Sequence, residues 1–409
     1  PGTGSGLLTA RAENPDDLKT SQGELAINTI YAAEGDVHLD LGENSLLAEA
    51  GHDTSGDERG TTYTNIGAEN ITIENVRDIK GEGENASLGM KVTGTKAKDG
   101  SETPGVITAH AKGDADITLF GEAASKAIDI EAEDLTITSR GNISNGNYQA
   151  RKALRVHTAK DHTISGGNFS GGTADITNAG KMSGGAYTAK GTMGITNEGT
   201  VENGSYTAET GAMTVTTSGP RSSGTYTAKA GTMDITNEGT IENGTYTARG
   251  DLTYTDTAGA SLTDGTLISK EGKATITAHG VLQIKELSAK DSATVEADHD
   301  VTLTEAEAGP LAISSGGSVN AGTLTAKTGD ASVTAKTDVT IGTLNAKEHA
   351  ALTSGSDMVL HEAEAGGKLM ASAGGSISVK GTNAKISGSP IERTAGEDIR
   401  STDRTHVGK

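Results

Sequence analysis

There is no cysteine in the 409 residues. That excludes disulfide bridges and thiolate metal sites, the CxxC zinc arrangements included. It also suits a long chain that must cross a periplasm unfolded, where an early disulfide would jam translocation. Tryptophan is absent, phenylalanine occurs twice, and aromatic residues make up 2% of the chain. So few bulky side chains point to a thin core rather than a large globular interior. No stretch approaches 18 consecutive apolar residues, so no membrane insertion is expected. Positive charge is in deficit, 34 Lys and Arg against 55 Asp and Glu, leaving −21. This is the wrong sign for holding nucleic acid or an anionic membrane surface, and no nucleic-acid partner is expected.

What the chain does have is glycine, 57 residues, with abundant Thr, Ala, Ser and Asn, the composition of many tight corners. An apolar fraction of 33% is low enough to read as disorder, but the apolar residues are regularly spaced, which argues against it. The sequence GTMGITNEGTVENGSYTA at 191–208 returns as GTMDITNEGTIENGTYTA at 231–248, identical at 15 of 18 positions. A looser copy, GAMTVTTSGPRSSGTYTA, lies halfway between, so the period is near 20 residues.

One apolar row runs through Ile117, Ile137, Val156, Ile176, Ile195, Val215, Ile235, Tyr254, Ile276, Val295, Ile313, Val333 and Leu352, in steps of 18 to 22. A second runs through Ile107, Ile128, Tyr148, Phe169, Tyr187, Tyr206, Tyr226, Tyr246, Ile268, Leu287, Leu324 and Leu344. A third contains Ile143, Ile164, Met182, Val201, Ile241, Leu262, Leu282, Val301, Val319 and Val339. Around each row the local alternation is two, as in Thr136-Ile137-Thr138 and Thr275-Ile276-Thr277, the pattern of strands with one buried and one wet face. A pair of α-helices does not fit in 20 residues, whereas one turn of a β-solenoid does. The expected fold is all-β, a right-handed parallel β-helix of about 20 residues per coil, with three short strands around a narrow core. One coil has too little apolar surface to fold alone, so stability must accumulate by stacking.

Along the chain, residues 1–21 read as an irregular edge with a turn at Asn14-Pro15-Asp16-Asp17, and 22–105 as less regular coils with insertions at 52–60 and 93–104. Residues 106–388 read as the regular shaft and 389–409 as an irregular tail. Near the end, Leu303-Thr-Glu-Ala-Glu-Ala-Gly309 recurs as Leu360-His-Glu-Ala-Glu-Ala-Gly366. The first residue is Pro1, with neither an initiator Met nor a signal-like segment, which reads as a processed or excised piece of a longer protein.

Coils such as Asp300-Val-Thr-Leu-Thr304 and Asp338-Val-Thr-Ile-Gly-Thr-Leu-Asn-Ala-Lys347 resemble the repeats of filamentous haemagglutinin-type exoproteins, the large adhesins and contact-dependent inhibition effectors of two-partner secretion. The resemblance covers 117–379 well and the N-terminal part loosely. It implies a right-handed β-helix that an outer-membrane β-barrel transporter exports from a Gram-negative cell, secreted or displayed at the cell surface. The family's secretion domain carries Asn-Pro-Asn motifs, and the nearest stretch here is Asn14-Pro15-Asp16, so the chain resembles a shaft segment. The function expected is a rigid extracellular spacer that projects a binding or effector region. A region that binds a host or neighbouring-cell receptor or glycan through the two insertions is the alternative, and a polysaccharide-degrading β-helix the third reading.

Tyr187, Tyr206, Tyr226 and Tyr246 would make a sugar platform if exposed, but Leu287, Leu324 and Leu344 later take the same position, so an interior stack is expected. Outward Thr rows would order ice only if flat and unbroken, and Asp175, Asp234 and Glu296 interrupt them. Asn178, Asn197 and Asn237 are expected to form a corner ladder. Asp298-His299-Asp300 and His157 with His162 are the His-centred clusters, and they read as solvated surface in the absence of HExxH or a calcium repeat. The acids Asp129, Asp175, Asp234 and Glu202 are spread over many coils, and GxSxG and the phosphate loop are missing. No enzyme activity, catalytic residue, metal or cofactor is expected.

Overall fold

Thr-Ile-Thr triplets become strands because the β-branched residues suit an extended backbone and alternate between two faces. The computed structural model describes residues 8–11, 24–27, 30–31, 36–41, 45–48, 65–81, 88–92, 95–96, 102–103, 106–120, 127–380 and 385–401. Among these every regular element is a strand. Nearly all pair in parallel with the equivalent strand about one period away, so the architecture is a parallel β-solenoid of about 20 residues per turn. The chain divides into two compact units, Pro1–Glu209 and Thr210–Lys409.

In the first unit the row Ile117, Ile137, Val156, Ile176 and Ile195 is in exact cross-coil register, each residue paired with the next. In the second, Val215, Ile235, Tyr254, Ile276, Val295, Ile313, Val333 and Leu352 do the same. All of these side chains are buried. Each strand's amides and carbonyls find partners in neighbouring coils, so the backbone is satisfied along the stack.

The third row is in register as expected, Ile143, Ile164, Met182 and Val201 in the first unit. In the second unit it begins with a residue that was not expected there: Arg221 pairs with Ile241, which continues to Leu262, Leu282, Val301, Val319 and Val339. Two members of the second row are corrected. Tyr148 pairs with Ile130 rather than Ile128, and Tyr246 with Leu267 rather than Ile268. Ile128 and Ile130 lie on the same face of one strand and are both buried, so pairing register alone puts Tyr148 on Ile130; at Leu267 and Ile268, adjacent residues, the pleat decides which follows the column. Leu267 is fully buried, whereas Ile268 faces partly outward. Ala306 fills the gap between Leu287 and Leu324.

Three strands per coil hold where a corner breaks the chain between the third and second rows. The corner residue takes a positive φ: Asn145 (61°), Gly166 (71°), Gly184 (70°) and Asn203 (59°) in the first unit, and Ser223 (54°), Asn243 (53°) and Asp264 (53°) in the second. Each is followed by glycine. Left-handed backbone is tolerated best by Gly and by Asn or Asp, whose short side chains hydrogen-bond locally. At Asp264 the left-handed residue is only a bulge inside the unbroken strand Ser261–Ser269, and in the following coils the two strands are single ones such as Val281–Ala289 and Val319–Ala326. The coils from Ser261–Ser269 to Met358–Ala365 therefore have two strands, not three, and the next again has separate strands Ile377–Val379 and Lys385–Ser387.

The ends also differ from expectation. Within 1–21, Leu8–Arg11 forms a strand paired with Asp36–Asp40. Within 389–409, Ile391–Ala395 and Ile399–Ser401 pair with Leu369–Ala373 and Ile377–Val379, because Ile391 and Ile399 still supply the apolar alternation. The insertion at 52–60 lies outside the described residues. Of that at 93–104, Thr95–Lys96 and Glu102–Thr103 form an antiparallel pair.

Candidate functional site

The aromatic row is interior. Tyr148, Phe169, Tyr187 and Tyr206 stack face to face in the first unit, with centroids 4.4, 4.6 and 4.8 Å apart and rings within 9° of parallel. Tyr226 and Tyr246 repeat this in the second at 4.8 Å. All are at most 1% exposed, so no sugar could reach a ring face. The parallel sheet dictates the geometry, since neighbouring strands lie about 4.7–4.9 Å apart and rings in one rotamer must follow that spacing. The glycine two residues before each aromatic leaves room for the ring. A Cβ on Gly146 would lie 2.7 Å from Tyr148, and one on Gly244 2.6 Å from Tyr246.

Arg221 enters the second unit's core beside this stack. It is 1% exposed, and its Cζ lies 4.7 Å over the Tyr226 ring, a cation–π contact. Burial pushes the Tyr246 phenol well above the usual tyrosine range, and Arg221 beside it opposes that shift in part. Sequence reading passed over Arg221 because it is charged. Its spacing of 20 from both Val201 and Ile241 was the available signal.

The asparagine ladder is present at one corner. Asn178 Nδ2 donates to Asn197 Oδ1 at 2.8 Å and to the Thr200 carbonyl at 3.0 Å. Asn237 instead starts a buried polar chain: its Nδ2 donates to the Tyr254 hydroxyl (3.0 Å), which donates to Asp256 (3.2 Å). Asp256, 1% exposed, also accepts the backbone N–H groups of His279 and Gly280. Three donors on one carboxylate let it sit in the core. Burial, with Asp256 adding to it, raises the Tyr254 phenol.

The aspartates that open coils bind the next coil. Asp300 accepts from the Ser318 N–H at 2.6 Å, Asp338 from Asp357 at 3.0 Å and Asp357 from Ser376 at 2.7 Å. At another corner Asp134 accepts from Ala153 and Asp330 from His349. The Asp-Val-Thr motif is thus a fastener between coils.

Of the His clusters, Asp298 pairs with His279 at 2.8 Å, Asp300 is held by Ser318, and the His299 carbonyl accepts from Ser315. His157 faces outward between Thr138 and Thr177, while His162 lies in the turn before Thr163–Ser165. Among the described residues no group of three or more His, Asp or Glu is arranged to hold a metal. Asp129 binds Asn147 and His110, and Glu202 pairs with Lys181. Asp175, Asp234 and Glu296 stand on the outward faces of their strands, as expected. Arg249-Gly250-Asp251 occupies an exposed corner and is tied down, Arg249 to Glu271 and Asp251 to the Lys273 N–H, each at 2.8 Å. A shallow hollow of about 350 Å³ lies over Gln283, His299, Asp300 and Thr302, and another of about 340 Å³ over Ser332, His349, Lys368 and Met370.

No family model, curated protein or solved structure matches the chain.

Proposed function

We propose that the chain is a stiff extracellular spacer, a shaft of filamentous haemagglutinin type that projects a binding or effector region from a bacterial cell. The observation that carries this reading is register. Inside each unit the inward column through Ile176 or Val295 continues from coil to coil without a slip, and successive coils are joined by backbone pairing and side-chain fasteners. Such a stack bends only by breaking many bonds at once. The assignment to secretion through an outer-membrane β-barrel and to surface display rests on the Asp300 and Asp338 coils, whose sequence resembles that family's repeats.

The absence of native cysteine makes the test direct. Spin labels on Thr216→Cys and Thr353→Cys, seven register steps apart on one column of the second unit, should give one narrow distance distribution near about 34 Å at about 4.8 Å per strand spacing. A broad distribution would defeat stiffness.

The second reading, a receptor- or glycan-binding region, is favoured by the antiparallel pair Thr95–Lys96 and Glu102–Thr103, the one described departure from parallel pairing. Glycan-array and cell-binding assays separate the two, since specific saturable binding that is lost on deleting 93–104 would replace the pure spacer.

A further inference from the structure

Several of the aspartates that fasten one coil to the next are seated over a glycine. In the first unit Asp78 Oδ1 accepts the Asp114 N–H at 3.1 Å, and a Cβ on Gly113 would collide with that oxygen. In the second, Asp251 accepts from Lys273 at 2.8 Å, Asp300 from Ser318 at 2.6 Å and Asp357 from Ser376 at 2.7 Å. The residue before each donor is again a glycine, Gly272, Gly317 or Gly375, and a Cβ there would strike the accepting oxygen. The arrangement recurs with a different acceptor. His349 Nδ1 accepts the Lys368 N–H at 2.9 Å, and a Cβ on Gly367 would lie 2.5 Å from Nδ1 and 2.6 Å from Cε1. His349 stands where Asp330 stands one coil earlier, each just before one of the paired strands Ala331–Ala335 and Ala350–Ser354. Its own N–H donates to Asp330 at 2.9 Å.

The two kinds of acceptor answer differently to acid. An ionised carboxylate accepts across the neutral and mildly acidic range, whereas an imidazole accepts at Nδ1 only while the ring is neutral with its proton on Nε2. Once the ring is charged both nitrogens are donors, and a proton on Nδ1 faces the Lys368 N–H, donor against donor. The charged groups around the ring come from three coils: Asp330 from the one before, Glu348 beside it in sequence, and Lys368 from the one after, whose Nζ reaches on to Glu392 at 2.8 Å. Asp330, His349 and Lys368 line one shallow hollow. A charged ring that releases the Lys368 N–H therefore has the Asp330 carboxylate within the same hollow, and shares that hollow with a second cation.

We propose that His349 is a proton-operated fastener between coils. Neutral, it ties the start of Ala350–Ser354 to the start of Leu369–Ala373; on taking a proton from water it lets go, while the aspartate corners hold. Acid thus loosens the entry to Leu369–Ala373 and leaves the entry to Ala274–Ala278, held by Asp251 and Lys273, as it was. The direction is opposite to that at His279, whose partner Asp298 is a carboxylate and gains from a charged ring. This inference does not depend on the spacer reading.

Lys273 and Lys368 are the same residue type with different acceptors, so hydrogen exchange followed by NMR on the full chain, isotopically labelled at lysine, compares them in one sample. With each rate divided by the intrinsic rate at that pH, Lys368 protection should fall about three- to tenfold between about pH 7.5 and about pH 5.5, while that of Lys273 stays constant. His349→Asp, which installs the acceptor of the other corners, should keep Lys368 equally protected at both pH values. Lys368 protection that does not change with pH in the natural chain would overturn the proposal, and that result needs no variant. So would a His349→Asp chain whose Lys368 still loses protection in acid while Lys273 stays protected.

Discussion

Asn178 donates its side-chain amide to the side-chain oxygen of Asn197, 2.8 Å away and one coil along, and both residues are wholly buried. The same NH₂ group serves the carbonyls of Thr200 (3.0 Å) and Gly180 (3.3 Å). A single side chain thus closes the corner of its own turn and fastens it to the next.

Removing that donor leaves buried carbonyls without it. Asn178→Ala should destabilise the fold by about 1–3 kcal/mol. Asn178→Asp should be worse, since it turns an acceptor towards two carbonyl oxygens. Urea unfolding followed by circular dichroism at 218 nm orders the two, and an Asp variant as stable as the natural chain would contradict the ladder.

Two glycines of the first unit should respond oppositely to a methyl group. Gly185 has φ +88°, and a Cβ there would sit 2.8 Å from the Gly166 carbonyl and 3.1 Å from the Tyr187 ring. Gly185→Ala should cost about 1–3 kcal/mol. Gly194 lies within the strand Met193–Asn197, with nothing closer to a new Cβ than Asp175 at 3.5 Å. Gly194→Ala should be neutral or stabilise by up to about 1 kcal/mol, because it removes unfolded-state freedom. Thermal melts of the two variants decide.

Tyr187 lies between Phe169 and Tyr206. Because its neighbour in the column is a phenylalanine, Tyr187→Phe should change stability by less than about 1.5 kcal/mol. Tyr187→Ala leaves a ring-sized void and should cost about 3–5 kcal/mol. Near-ultraviolet circular dichroism should keep its aromatic signal in the first variant and lose much of it in the second.

His279 should titrate above the ordinary histidine value, held up by its hydrogen bond to Asp298 and then by that carboxylate's charge. The pairing contributes fully below the unfolded-state pKa and is lost as pH rises through the folded value. Stability from this corner therefore falls on going from mildly acidic to mildly alkaline pH. NMR titration of the ring, repeated with Asp298→Asn, should show the midpoint drop in the variant, and no change would remove the pair from the account.

The columns through Ile176, Val295 and Val319 were legible because a parallel stack has to repeat its apolar positions, and spacing is visible without coordinates. Arg221 was not legible, since its inward position follows from register and not from residue type. The choice of Leu267 over Ile268 depends on the pleat of one strand, which two adjacent apolar residues leave undetermined. The merging of strands begins at Ser261–Ser269, where Asp264-Gly265 is still left-handed, so the two-residue corner signal does not by itself tell where three strands become two. The candidate sites were read from spacing too, and the Asn178–Asn197 ladder was found where expected. The roles of Asp300 and Asp338 became clear only once the next coil's amides were placed.

The rise from Tyr254 to Ile276 takes 22 residues and that from Val295 to Ile313 takes 18, yet both pairs sit side by side in their columns. The slack is taken up at the bends, so small indels there are silent towards the core. Replication slippage by a full repeat is silent as well, because the residues on either side meet partners of the type they had before. Coil number can therefore change while the cross-section stays fixed.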